Sequence, residues 1–376
     1  MIIYQSYYGI RSWPLELFRM TDTHSVFRLA FIGLDHPHGA GWRKSLENLA
    51  AQVEISAIVP RFENGLASLE EKWSDIPRFD TVEQLIDGGQ FDGAIVCLPN
   101  DEGPEALAQL ALAGKHILAE KPAAGSAADF QQVVNAVEQS QVAFQSGYMW
   151  RYDEGAMRVR RMFREGRFGR LVSLAINSVT SNVARRGPTH YLFNAQRSQG
   201  GYMNWLACHW LDLLLDFIGE PIVGVTARVG VFGDTSVEVE DGGAAIFDLE
   251  SGGLATFHGG YFLPRWAGES HWAIRGLDRW VNWDPGKAGT GGVLDIHGPQ
   301  PQFDAMNETC TIPPDNTPGY GGRRCVALLE DWISSARAGG RPCRNTPRST
   351  QATLQLIDTI YQASREGRRL ECRIDA

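Results

Sequence analysis

What this chain of 376 residues lacks narrows its function first. It has no uninterrupted run of about eighteen apolar residues, the length a helix needs to cross a bilayer, so no membrane-spanning helix is expected. It also lacks basic excess: 35 Lys and Arg against 44 Asp and Glu leave a net charge of −9, which argues against a nucleic-acid partner. The densest basic stretch, six arginines from Arg158 to Arg170, falls at helical spacing and reads as a solvated face. The six cysteines (97, 208, 310, 325, 343 and 372) form no C-x-x-C pair and no zinc spacing. Free thiols in a reducing cytoplasm are the expectation. Arg11 and Pro14 interrupt any signal-peptide core, so residues 1–27 read as a loose extension. Internal repeats and low-complexity linkers are missing too.

What is present is the make-up of a soluble globular protein, 43% hydrophobic and 21% charged, long enough for two cores. Over residues 28–150 strand and helix patterns alternate. The strands are "RLAFIGL", "EISAIV", "FDGAIVCLP", "HILAEKP" and "QVAFQSGYMW"; the helices are 39–51, "ENGLASLEEKW", "EALAQLALAGK" and "DFQQVVNAVEQS". Such alternation predicts βαβ units and a doubly wound parallel sheet, with ligand at the carboxyl ends of the strands. Over residues 151–376 strands dominate: "RLVSLAINSVT", "GVTARVGVF", "GGAAIFDLE" and "LATFHGGYF". Helices are expected at 153–165, 201–218, 320–338 and 349–366. This pattern predicts an α+β domain with a large, mostly antiparallel open sheet.

Residues 31–42, "FIGLDHPHGAGW", form a strand, a turn and a helix start. A dinucleotide loop reads G-x-G-x-x-G, but only Gly33 matches; Asp35 and His38 stand where the second and third glycines belong. The helix N-terminus still offers N–H groups to a phosphate, while Asp35 would repel one. His36 and His38 could offset that, and a metal held by Asp35, His36 and His38 is a weaker alternative without further ligand spacing. After the second strand come Pro60, Arg61 and Glu63 in place of a ribose-binding acid. Arg61 is either a partner for a 2′-phosphate or a surface loop residue.

The stretch "CLPNDEGPEALAQLALAGKHILAEKPAAGS" carries a Pro99–Asn100 turn, an Ala113–Leu118 lead-in and a Glu120–Lys121–Pro122 triplet. It resembles the glucose–fructose oxidoreductase/inositol dehydrogenase/MocA (Gfo/Idh/MocA) family. "YMWRYDEGAMRVRRMFREGRFGRLVSL" is similar to that family's interdomain segment, and "SREGRRLEC" to its C-terminal helix ending. The resemblance covers residues 28–372. It implies a Rossmann domain, a large-sheet domain, NAD or NADP as cofactor, and a carbohydrate-like substrate bound between them.

The cofactor residues so implied are Gly33, Leu34, Asp35, His36, Arg61, Leu98, Pro99, Asn100, Glu120 and Lys121. Lys121 is the implied catalytic lysine, since an ammonium at a strand end polarises a carbonyl or stabilises an alkoxide. The helix "QGGYMNWLACHWLD" matches the family's second catalytic element, with His209 on the motif histidine and Asp212 on the final aspartate. Trp205 replaces the motif aspartate, and indole cannot take a proton. His209 then acts with Lys121 alone, or with help from Tyr191 or Asn204. Lys121, Arg151, Tyr191, Trp205, His209 and Asp212 are the expected substrate residues, Trp205 as a stacking wall or as plain core. Asp212, three residues after His209, either orients the imidazole or closes a local network. Trp266, Trp272, Trp280 and Trp283 line a carbohydrate cleft or anchor packing. The leading expectation is an NAD(P)-dependent sugar, polyol or cyclitol oxidoreductase, homo-oligomeric as a dimer or tetramer. The alternative is a member without net redox turnover, a lyase or hydrolase on an oxidised sugar or a sensor.

Overall fold

A computed structural model describes residues 25–375 apart from 37, 63–72, 74, 188–189, 234–236 and 299–306. The helix expected at "ENGLASLEEKW" and residue Glu63 therefore lie largely outside the described residues.

The first domain runs β1 (Phe27–Ile32), α1 (Gly39–Glu47), β2 (Val53–Val59), α2 (Val82–Gly88), β3 (Gly93–Val96), α3 (Gly103–Leu112), β4 (His116–Ala119), α4 (Ala127–Ser140) and β5 (Phe144–Ser146). Among the described residues the strands form one five-stranded parallel sheet in the order β2-β1-β3-β4-β5. Its period-2 alternation explains why β1 reads as an unbroken apolar run. Ala30 and Ile32 face one buried layer, while Leu29 and Phe31 face another.

The first layer is closed by Leu107 and Leu110 of α3 and by Phe130, Val133 and Val134 of α4. Ser126 caps α4 by accepting from the Asp129 N–H at 3.1 Å. The second layer needs a cover that the first 150 residues supply only in part. Trp42 and Leu46 of α1 contribute; Leu328, Leu329 and Trp332 come from a helix near the other end of the chain. The first domain is thus completed by a segment that sequence order assigns to the second.

After a 3₁₀ turn (Met149–Tyr152) follow α5 (Glu154–Arg164), β6 (Leu171–Ser181), the short α6 (Val183–Arg186), a 3₁₀ turn (Tyr191–Phe193) and the short α7 (Ala195–Ser198). A π-turn (Met203–Ala207) leads into α8 (Cys208–Ile218). Then come β7 (Ile222–Gly230), β8 (Gly242–Leu249), β9 (Leu254–Leu263), β10 (Gly268–Gly276), β11 (Trp280–Asp284), β12 (Gly292–His297), β13 (Asn307–Ile312), α9 (Arg323–Arg337), α10 (Pro347–Glu366) and β14 (Leu370–Ile374). The covering helix is α9. The second sheet has nine strands among the described residues, ordered β13-β12-β11-β10-β6-β9-β8-β7-β14. Only the β6–β9 pairing is parallel.

One face of this sheet packs on Leu211, Leu214 and Leu215 of α8 and on Leu356, Ile357 and Ile360 of α10. Trp272 and Trp283 stand opposite one another on β10 and β11 and are fully buried. These two are packing anchors and not cleft walls, whereas Trp266 is 70% exposed. The arginine run is only partly a solvated face, because Arg160 reaches the buried Asp216 at 2.8 Å.

Candidate active site

The carboxyl ends of β1, β3 and β4 meet the π-turn and the segment 190–199 of the second domain. Gly33 ends β1 with a φ of 68°, and its N–H bonds to Val59 O at 2.7 Å. A Cβ there would lie 2.1 Å from Cys97 O, so this turn accepts only glycine. The close approach between α1 and the loop is made at Gly39, where a Cβ would lie 2.0 Å from Leu34 O. The third small residue of the fingerprint is therefore displaced by one position from His38. The gap introduced by "DHPH" concealed it.

The side chains between the two glycines go to separate partners. Asp35 is turned toward the end of β2, where its carboxylate accepts from the Arg61 N–H at 2.9 Å and from the Phe62 N–H. His36 faces Tyr191, and His38 Nδ1 lies 3.2 Å from Glu120 Oε1. Asp35, His36 and His38 thus do not converge on a common point. Arg61 is also engaged: its guanidinium is forked on Glu102 at 2.6 and 2.5 Å, which favours the surface-loop reading of this residue over a partner for a 2′-phosphate. Pro99 O accepts the N–H groups of Glu102 and Gly103 and so shapes the start of α3 after Leu98. Asn100 Nδ2 donates to Ser198 O at 2.6 Å, and Arg197 reaches Glu102 at 2.6 Å. These bonds tie the loop after β3 to the second domain.

At the end of β4, Glu120 and Lys121 are both buried, and the Lys121–Pro122 peptide is cis. Burial alone would raise the Glu120 carboxyl; His38 and Lys121 instead hold it at about 2. It also accepts from Trp42 Nε1 at 2.5 Å. Lys121 Nζ donates to Trp205 O at 2.7 Å and lies 3.6 Å from the centre of the Trp205 ring. Burial lowers its pKa from the ordinary lysine value. Trp205 therefore holds the ammonium through its carbonyl and its ring face, where the motif would place a carboxylate. Its position in a π-turn, the wider turn often found at functional sites, accompanies this contact.

His209 follows on α8. Burial holds it well below the ordinary histidine value, so the ring is neutral. Its Nδ1 and the Tyr148 Oη, in rings 6.0 Å apart, are buried without a hydrogen-bond partner among the described residues. Tyr261 Oη is another such atom, on a ring whose centre lies 4.8 Å from the Arg186 guanidinium carbon. Buried polar atoms are normally satisfied, so the neighbouring His209 Nδ1 and Tyr148 Oη suit a polar partner such as a substrate oxygen. Tyr148, Tyr261 and Arg186 were not foreseen, since they sit on a turn, a strand and a short helix that carry no motif.

Two expected substrate residues are placed elsewhere. Arg151 donates to Asp212 at 2.8 and 2.6 Å, and Asp216 lies 3.6 Å from it. Thr353 donates to Asp212 at 3.3 Å. Burial opposes the charge on Arg151, but the carboxylates raise its pKa above the ordinary arginine value. Asp212 thus closes a buried structural network and does not orient His209.

The loop fits the phosphate end of a dinucleotide: the left-handed turn at Gly33 leads into the start of α1, whose first N–H groups no side chain caps, and these are what such a group requires. Two family models match the chain, one described as "Oxidoreductase family, NAD-binding Rossmann fold" over residues 27–148, the other as "GFO/IDH/MocA C-terminal domain" over residues 156–281. An inositol 2-dehydrogenase of Rhizobium meliloti (strain 1021) is 27% identical over 179 residues, 48% of this chain and 51% of the relative. A 2,7-anhydro-N-acetylneuraminate hydratase of Escherichia coli (strain K12) is 24% identical over 270 residues, 71% of this chain and 68% of the relative. Across the inositol dehydrogenases it matches, the chain spans about half of their length. In fold it is similar to a levoglucosan dehydrogenase in complex with NADH and L-sorbose, with a TM-score of 0.81, 15% identity and coverage of 93% of this chain and 99% of that one.

Proposed function

The chain belongs to the Gfo/Idh/MocA oxidoreductase family, and we propose that it is an NAD(P)-dependent dehydrogenase of a sugar, polyol or cyclitol. One observation carries this reading: a fully buried lysine ends β4 beside a neutral histidine and a tyrosine whose polar atoms await partners.

In this reading the backbone at Gly33 and Leu34 and the first turn of α1 hold the cofactor's phosphates, and Leu98, Pro99 and Asn100 flank it. The nicotinamide, when bound, exchanges a hydride with the substrate carbon. Lys121 takes the hydroxyl proton on oxidation, or returns it on reduction, and burial favours the neutral amine this requires. His209 and Tyr148 orient the substrate oxygen. Trp205 keeps Lys121 in place and gives the ring face of the sugar an apolar edge.

Gly33→Ala tests the cofactor site. It forces a Cβ against Cys97 O at a φ of 68°, and it is expected to lower NADH affinity at least tenfold and to destabilise the fold by about 1–3 kcal/mol. Calorimetric NADH titration and a thermal melt check this; wild-type values in both contradict it.

The function itself is tested by NADH or NADPH formation with myo-inositol, levoglucosan and simple aldoses. Turnover with one of them supports the reading. Release of a dehydrated or hydrated product without net NADH change supports the second reading, a hydratase-type reaction, which the likeness to the E. coli hydratase favours.

Outward-facing Val172, Ile246 and Leu254 on β6, β8 and β9 give the open sheet an exposed apolar face, which supports a homo-oligomer. The six cysteines, all free, suit the cytoplasm.

A further inference from the structure

The tautomer of His36 is dictated by its surroundings. Its Nδ1 accepts the backbone N–H of His38 at 3.0 Å, and a backbone N–H can only donate. Nδ1 therefore carries a lone pair. A neutral imidazole has one N–H, so the hydrogen sits on Nε2, the atom that faces the Tyr191 hydroxyl. His36 Nε2–H must donate to Tyr191 Oη. The phenol hydrogen is then left to donate elsewhere, and it has no other hydrogen-bond partner among the described residues.

A charged imidazolium would set two N–H groups against one another at Nδ1, and the neighbours oppose it too. His36 faces Glu120 and Lys121 from the end of β4, His38 from its own loop, and His190 and Tyr191 from the segment before α7. Glu120 alone among these favours the charge, and burial holds the imidazole down at about 3.

The pair also has a fixed place. The His36 ring lies 6.1 Å from the Trp205 ring, which carries Lys121 Nζ on its face. Phe62 and His190 pack on the Tyr191 ring at 5.4 and 4.8 Å.

We propose that Tyr191, its hydroxyl turned by His36, is the fixed hydrogen-bond donor of the cleft and gives its hydrogen to an acceptor oxygen of the carbohydrate, a hydroxyl, carbonyl or ring oxygen near Lys121. This rests on the dehydrogenase reading of the cleft. His36 is a positioning residue in it, acting through Tyr191.

Two measurements test it. In full-length protein labelled with ¹⁵N-histidine, His36, assigned by its loss in His36→Gln, is expected as the neutral Nε2–H tautomer at neutral pH and still neutral near ~pH 5. An Nδ1–H tautomer, or a titration midpoint near the ordinary 6.5, overturns the proposal. In turnover of myo-inositol or levoglucosan with NAD⁺, Tyr191→Phe and His36→Phe are each expected to lower kcat/KM about tenfold to a hundredfold, and the double variant no further. His36→Gln, whose amide N–H stands in for Nε2–H, recovers most of the loss. Additive losses, or a Tyr191→Phe enzyme at the wild-type rate, overturn the proposal and leave the dehydrogenase reading standing. A wild-type enzyme that turns over no compound fails that reading instead, and the spectra still decide the tautomer.

Discussion

Lys121→Met is expected to lower kcat by roughly two to four orders of magnitude while NADH affinity stays within a few-fold of wild type. Methionine keeps the length and the apolar stem of lysine, so the packing at the end of β4 survives. What disappears is the amine that Trp205 O holds at 2.7 Å and to which the proposed reaction assigns the proton of the substrate hydroxyl. Glu120 loses the Lys121 charge 3.9 Å away but keeps its bonds to Trp42 and His38. The pH profile gives a second readout. Burial lowers the Lys121 pKa, so the neutral amine appears at lower pH than for an exposed lysine. Oxidation should rise with pH along a limb below the ordinary lysine range, and this limb should vanish in Lys121→Met. Steady-state kinetics across pH check both; a variant within threefold of wild-type kcat contradicts the role of Lys121.

Arg151→Met should have the largest effect on stability, about 3–5 kcal/mol. It removes the cation that Asp212 binds at 2.8 and 2.6 Å, leaving a fully buried carboxylate with only Thr353 among the described residues. Removing both charges as Arg151→Met/Asp212→Leu should restore most of the loss, because a buried pair contributes little beyond its own desolvation. Denaturant unfolding measures both variants. A single variant as stable as wild type contradicts the structural role and returns Arg151 to the substrate side.

The parallel sheet was legible because β1, β3 and β4 are buried on both faces and read as continuous apolar runs. The Glu120–Lys121–Pro122 triplet was legible because motif and strand end coincide, and His209 because its motif lies on a helix whose apolar pattern is plain. Residues whose partners are distant in sequence were not. Arg151 and Asp212 are 61 positions apart, and no local pattern distinguishes a buried ion pair from two substrate ligands. Arg61 had two readings in sequence, because its partner Glu102 lies on the loop after another strand. Asp35 looked repulsive because its direction is invisible in sequence; it is turned away to the end of β2. The cover supplied by α9 was missed for the same reason, since an uncovered sheet face says that a helix is needed but not where in the chain it lies.

The central claim is that the turn at Gly33 serves a dinucleotide whose reactive end lies at Lys121. Titrating the full-length protein with NADH and with NADPH by calorimetry tests it most directly. Saturable binding of at least one at a single site, weakened at least tenfold by Gly33→Ala, is the predicted result. Binding of neither, by a protein whose melt shows it folded, contradicts it.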